Sequence, residues 1–180
     1  MSKAWMLLVV AGLSGCTGYS KQVVQLHLNG GNPSQGTSIV GEPSVHVTST
    51  ANAIPVEGIS PNAVFELEPS PPLAAFLDAR LALLVHTTGT RADCSVASVG
   101  LEVRNNLTKG TIATNLSLQC SVRGPKGIST QAYVGRDVRT LSGKWSGVDF
   151  KAELQPGLEA CLQQIAPALQ RDMLAAGAGL

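Results

Sequence analysis

The sequence predicts an α+β domain: an antiparallel β-sheet, a β-meander, with two helices packed on one face. Three observations carry this. Residues 96–138 hold three extended stretches with alternating apolar and polar residues, separated by turns rich in Gly, Pro and Asn. Two other segments place apolar residues three and four apart, the spacing of one helix face. The order of strands, helix, meander and helix lets both helices cover one side of one sheet.

The first strand is read at 23–28 (VVQLHL), where Val24, Leu26 and Leu28 alternate with Gln25 and His27. Residues 29–63 form the region least defined by pattern, loop-rich and expected to be partly disordered. Within it, 29–36 (NGGNPSQG) is turn-rich, 45–50 alternates as a second strand, and 51–63, with two prolines and a glycine, reads as a surface loop. Residues 64–67 form a short extended piece. A helix follows, capped by Ser70, with Pro71 and Pro72 in its first turn. Leu73, Phe76, Leu77, Leu81, Leu84 and Val85 make its apolar stripe, and Thr87 to Gly89 ends it.

The meander strands are read at 96–103, 111–122 and 128–138, with turns at 104–110 and 123–127. A loop carrying Trp145 leads to a last helix from about Gln155. Its stripe is Leu158, Cys161, Leu162, Ile165, Leu169 and Met173, and the tail 176–180 frays. Pro156 suits the first turn of that helix. Pro167 lies inside the pattern and is expected to kink or split it near 163–166.

The start of the chain has another character. Lys3 precedes an apolar stretch of about ten residues, Ala4 to Leu13, and small residues follow: the layout of a secretory signal peptide. The stretch is too short for a spanning helix. It closes on Leu13-Ser14-Gly15-Cys16, which resembles the lipobox of bacterial lipoproteins. That resemblance implies diacylglycerol on the Cys16 sulfur, cleavage after Gly15 and acylation of the new amino group. The expected organisation is a signal peptide at 1–15, a lipidated tether at 16–22 and a single domain at 23–175. Thr17 follows the cysteine. By resemblance to enterobacterial sorting, a residue other than Asp there favours the outer membrane, on its periplasmic face.

Composition narrows the function. The chain has 13 Lys and Arg, one of them Lys3, against 12 Asp and Glu, so the part after the leader has no formal net charge. It contains no basic run, so neither nucleic acid nor an anionic membrane surface is favoured electrostatically. Membrane attachment is expected from the lipid on Cys16, with two or three acyl chains making it stable. Aromatic residues are scarce, which leaves no platform for stacking bases or sugars. The sequence lacks P-loop, GxSxG, HExxH and SxxK motifs. The histidines His27, His46 and His86 are scattered and no CxxC occurs, so neither a metal site nor a cofactor is expected. Asp137, flanked by Arg136 and Arg139, reads as surface ion pairing. Asp78 and Arg80 read as a solvated helix face, and His86 as a partner of the helix dipole.

Three cysteines follow Cys16. Residues 94 and 120 are symmetric about Leu107, so a simple hairpin would set Cys94 opposite Cys120, within reach of a disulfide. Cys161 is then a buried thiol. A bulge at Gly100 would instead favour Cys120–Cys161, and three reduced cysteines remain a third possibility.

The segments PSPPLAAFLDARLALLV, VGLEVRNNLTKGTIATNLSLQCSV and LEACLQQIAPALQRDM, behind a lipobox, resemble the YajG-type lipoproteins of Gram-negative bacteria. The resemblance covers roughly residues 64–174 and implies an α+β fold with no catalytic residues to carry over. Residues 29–63 match less well. The lipopolysaccharide-assembly lipoprotein and the auxiliary lipoproteins of ABC lipid transporters share such a sandwich. Two functions are expected from this. One is a non-enzymatic binding or assembly factor that meets an envelope protein. The other is an accessory of lipid or lipopolysaccharide transport, holding an acyl chain in an apolar groove.

Overall fold

The computed structural model describes residues 20–29, 44–50, 53–59, 63–87, 89–106, 109–125, 127–141 and 150–178. The leader, Cys16, most of the turn-rich segment after Asn29 and the Trp145 loop lie outside these residues. The elements run β1 (Ser20–His27), β2 (Val45–Thr48), β3 (Ile54–Glu57), β4 (Ala63–Ser70), α1 (Leu73–Leu84), β5 (Arg91–Asn106), β6 (Lys109–Gly124), β7 (Gly127–Leu141) and α2 (Phe150–Gly177).

The fold is α+β, but the sheet is mixed. Among the described residues, seven strands run in the order β1-β4-β3-β5-β6-β7, with β2 also on β5. The antiparallel pairings are β3·β4, β5·β6 and β6·β7; β1·β4, β2·β5 and β3·β5 are parallel. The expected all-antiparallel sheet is therefore corrected. Hairpins announce their own pairing through short turns, whereas parallel neighbours are joined at long range and alternation says nothing about strand direction. The 16-residue β5 carries two partners on one edge: β2 at Ala92–Ser95 and β3 at Leu101 and Glu102.

Several boundaries move. β1 begins at Ser20, inside the expected tether. β3 replaces an expected loop: Ile54 and Val56 are buried and alternate with exposed Pro55 and Glu57. Pro55 is tolerated there because β3 meets β5 only from Val56 onward, past the residue without an N–H. Ser70 does not cap α1. It ends β4, and Pro72 stands at the helix start with no side-chain cap. Leu84 is 37% exposed and leaves the α1 stripe, whose buried members are Leu73, Phe76, Leu77 and Leu81.

α2 starts at Phe150 and continues to Gly177, so Pro156 lies in its interior and residues 176 and 177 are helical. Pro167 does not split it. The two prolines are eleven residues apart, about three turns, and both are exposed. The carbonyls they leave without a donor, on Ala152 and Gln163, belong to exposed residues that water can serve. The inward side of α2 keeps its stripe: Leu154, Leu158, Cys161, Leu162, Leu169 and Met173 are fully buried, and Ile165 is 1% exposed. Each such leucine contributes roughly 1.5–3 kcal/mol of burial. Two glycines allow a close seat. A Cβ on Gly135 of β7 would stand 2.6 Å from the Cys161 carbonyl oxygen, and one on Gly157 of α2 would stand 2.1 Å from Thr114 Oγ1 of β6.

Both helices cover the same face. Val45 and Val47, beneath α1, pair with Ala92 and Cys94, whose side turns toward α2 through Cys120 and Leu118. The opposite face of β5–β7 is polar, except along β7.

Candidate functional site

Cys16, the expected lipidation site, is outside the described residues. Cys94 and Cys120 are direct partners in the β5–β6 register, and a disulfide joins them with sulfurs 2.08 Å apart. Cys161 is a free, buried thiol on α2 that donates to the Thr114 carbonyl at 3.5 Å. Burial pushes this thiol up to about 11, which makes it a poor nucleophile at neutral pH.

The acid–arginine run on β7 is divided by the pleat. Arg139 binds Asp137 at 2.6 Å and Glu153 of α2 at 3.5 Å, on the helix face. Arg136 projects to the other face, 3.7 Å from Glu102. These are structural ion pairs at the rim of the core. Two side chains expected on a solvated face of α1 tie elements together instead. Asp78 accepts the Val47 N–H at 2.8 Å, holding α1 to β2. Arg80 reaches Glu159 of α2 at 2.8 Å and the Asn29 carbonyl at 2.9 Å, with its guanidinium over the Phe76 ring. His86 is exposed, two residues past the end of α1, and its carbonyl accepts from Gln170. Tyr133 donates to Asp172 at 2.8 Å; burial, then that contact, pushes its hydroxyl well above the ordinary range.

The feature best suited to recognition is the free side of β7. This strand ends the sheet, and no described strand pairs beyond it. At Arg136 the edge is sealed: its N–H donates to Gln164 Oε1 at 3.1 Å, and its carbonyl accepts from Gln164 Nε2 at 2.9 Å. One side-chain amide thus takes the place of a neighbouring strand. Both Arg136 groups therefore point away from β6, and by alternation so do those of Val134, Ala132, Thr130 and Ile128. The run Gly127–Val134 (GISTQAYV) contains no charge and no proline, the usual guards of an edge. Its outward side chains include Ile128 at 65% and Val134 at 69% exposure, with Val138 at 57% further along. Sequence reasoning read 128–138 as a strand but not as an edge. The signal within reach was the charge-free run between Lys126 and Arg136; the role of Gln164 is visible only in the fold.

At the same end, a groove of about 310 Å³ opens between the last turns of α2 and the β6–β7 hairpin, with Val122, Ile128, Tyr133 and Ala176 among its walls. No helix among the described residues is long and apolar enough to cross a membrane.

No known protein-family model matches the chain, and no curated protein matches it. Two solved structures are similar in outline. One is a minor lipoprotein from Acinetobacter baumannii, at TM-score 0.36 and 8% identity, covering 74% of this chain and 92% of that one. The other is an uncharacterized protein, at TM-score 0.35 and 12% identity, covering 86% of this chain and 99% of that one. Likeness at this level carries no functional argument.

Proposed function

We propose that this chain is a lipid-anchored lipoprotein of the bacterial cell envelope, held at the periplasmic face of the outer membrane through Cys16. It works there as a non-enzymatic binding or assembly factor. The lipobox-like Leu13-Ser14-Gly15-Cys16 supports the anchor. The observation that carries the binding role is the open β7 edge: a row of outward backbone donors and acceptors beside exposed apolar side chains accepts an added strand from an envelope protein.

Ala132→Pro provides the test. It removes an outward N–H without touching the β6 ladder, so the fold stays and strand addition is blocked. Photocrosslinkers at Thr130 and Val134 should capture one envelope protein in cells, crosslinkers at exposed Gln163 of α2 should not, and Ala132→Pro should abolish capture. Equal capture by the proline variant would end this reading.

The groove beside Tyr133 supports a second reading, an acyl-chain carrier in lipid or lipopolysaccharide transport. Delipidated protein that copurifies with stoichiometric phospholipid, lost on Ala176→Trp, would favour it over strand addition.

A further inference from the structure

The open stretch of β7 is complementary to itself. Gln164 closes the edge at Arg136 and the strand begins at Gly127, so the stretch runs over residues 127–135 and is centred on Gln131. A two-fold axis at Gln131 sets this stretch antiparallel to that of a second copy. Residues with outward groups then meet only each other. Ile128 opposes Val134 of the second copy and Thr130 opposes its Ala132, each pair exchanging two main-chain hydrogen bonds. An axis at Ala132 would set Ile128 against the sealed Arg136, and one at Thr130 would set Val134 against residue 126, outside the strand.

This register covers what β7 leaves bare. Val134 and Ile128 are the most exposed large apolar side chains among the described residues, and it pairs them across the strands. On the helix face, exposed Gln131 meets Gln131 of the second copy, and two side-chain amides can each donate to the other. The helices fit as well. α2 packs over both β6 and β7, so its axis lies about half a strand spacing inside the edge. One further spacing of about 4.8 Å between the two β7 strands then brings the two α2 axes to roughly 10 Å, a helix-packing distance. The α2 side above the edge carries Gln164, and Ala168, Arg171 and Ala175 follow it at helical steps. The alanines permit close approach. Exposed Arg171 lies beside Asp172, and the axis turns each Arg171 toward Asp172 of the other copy, so opposite charges face each other.

We propose that the resting occupant of the β7 edge is a second copy of this chain, in a two-fold dimer with one continuous sheet. The proposal rests on the strand-addition reading for the openness of the edge and names what fills it first. Both occupants need the same outward groups, so an envelope strand must displace the second copy to bind. β1 ends the other side of the sheet, so the chain toward Cys16 leaves each copy at an outer edge of the dimer.

The test is sedimentation equilibrium of the full chain in density-matched nonionic detergent, from micromolar to near-millimolar concentration. A reversible dimer is expected. Ala132→Pro should weaken association roughly a hundredfold or more, because it removes an outward N–H from both strands. Arg171→Glu should weaken it severalfold. Gln131→Cys reads the register. At the axis, a non-hydrogen-bonded pair sets the Cα atoms about 4.5 Å apart, within reach of a disulfide, so mild oxidation should link two copies at this position. Ser129→Cys faces Tyr133 of the second copy and should not link. A monomer at every concentration, a dimer undiminished by Ala132→Pro, or a link formed by Ser129→Cys and not by Gln131→Cys overturns the proposal. A monomer that still captures an envelope protein in cells would sink the second copy and leave strand addition standing. A dimer linked at position 131 that captures no other protein would support the second copy and end strand addition.

Discussion

Cys94 meets Cys120 because Ala97 is an extra residue on β5. Asn106 pairs with Lys109, so the two strands are related about a point half a residue beyond Leu107, and this relation holds back to Ser98↔Ser117. Continued unchanged, it would set Cys94 against Ser121 and Cys120 against Ser95. The shift between Val96 and Ser98 moves the register by one and brings the cysteines together. The bulge also switches parity: Ala92, Cys94 and Val96 face the helices before it, and Val99, Leu101 and Val103 after it.

Non-reducing peptide mapping should therefore return a Cys94–Cys120 link, and reduction should cost about 3 kcal/mol in the chain-entropy model for a loop of this size. Deleting Ala97 removes the bulge yet leaves Val96↔Leu118 in place, so the link should survive deletion. A Cys120–Cys161 peptide would contradict this arrangement.

Leu81 is fully buried between α1 and the sheet. Leu81→Ala should cost about 2–5 kcal/mol in urea denaturation, with the slope of the transition preserved. A cost near zero would mean that the α1 face is packed differently.

Gly135→Ala should destabilise by about 1–3 kcal/mol, because the new methyl meets the Cys161 backbone, which cannot rotate away. Gly157→Ala pits a gain of about 1 kcal/mol in helix propensity against a clash with Thr114. The clash should win, and a thermal melt of each variant decides. A stabilised Gly157→Ala would show that α2 sits further from β6.

The Cys161 thiol gives a pH signature. Its proton is held more tightly in the folded chain, where ionisation is pushed from 9.0 up to about 11. The resulting stability is complete below pH 9 and is lost as pH rises through 11. Tyr133 adds a similar loss that begins only above pH 10. Stability measured from pH 8 to 11 should fall more steeply in the wild type than in Cys161→Ala, and the folded thiol should resist alkylation at pH 8. Parallel pH curves would contradict the shift.

The strands of the meander, both helix stripes and the Cys94–Cys120 pairing were readable because each depends on residues close in sequence or on one hairpin. The pairing came out right through two offsetting errors, a turn centre placed half a residue early and a bulge left out. The parity change from Val96 to Val99 was the visible sign of that bulge, whereas Gly100, the expected site, pairs regularly with Asn115. What stayed hidden depends on distant partners: the parallel β1·β4, β2·β5 and β3·β5 pairings and the Gln164 seal. Short β2 and β3 carry only four residues each, too few for alternation to speak clearly.

The double use of one edge of β5 has a consequence for the order in which the molecule assembles. β5, β6 and β7 are consecutive hairpins and can zip together with little loop closure, while β2, and β3 beyond its pairing with β4, must wait for partners on β5 about 45 residues downstream. The amino-terminal strands emerge first; β1 and β3 can meet β4 there, but their attachment to the rest of the sheet waits until the middle of the chain arrives. Folding should therefore run backwards along the chain, with the meander as a template. Pulse-labelled hydrogen exchange should protect β5–β7 before β2 and β3, and fragments ending before Arg91 should remain unfolded.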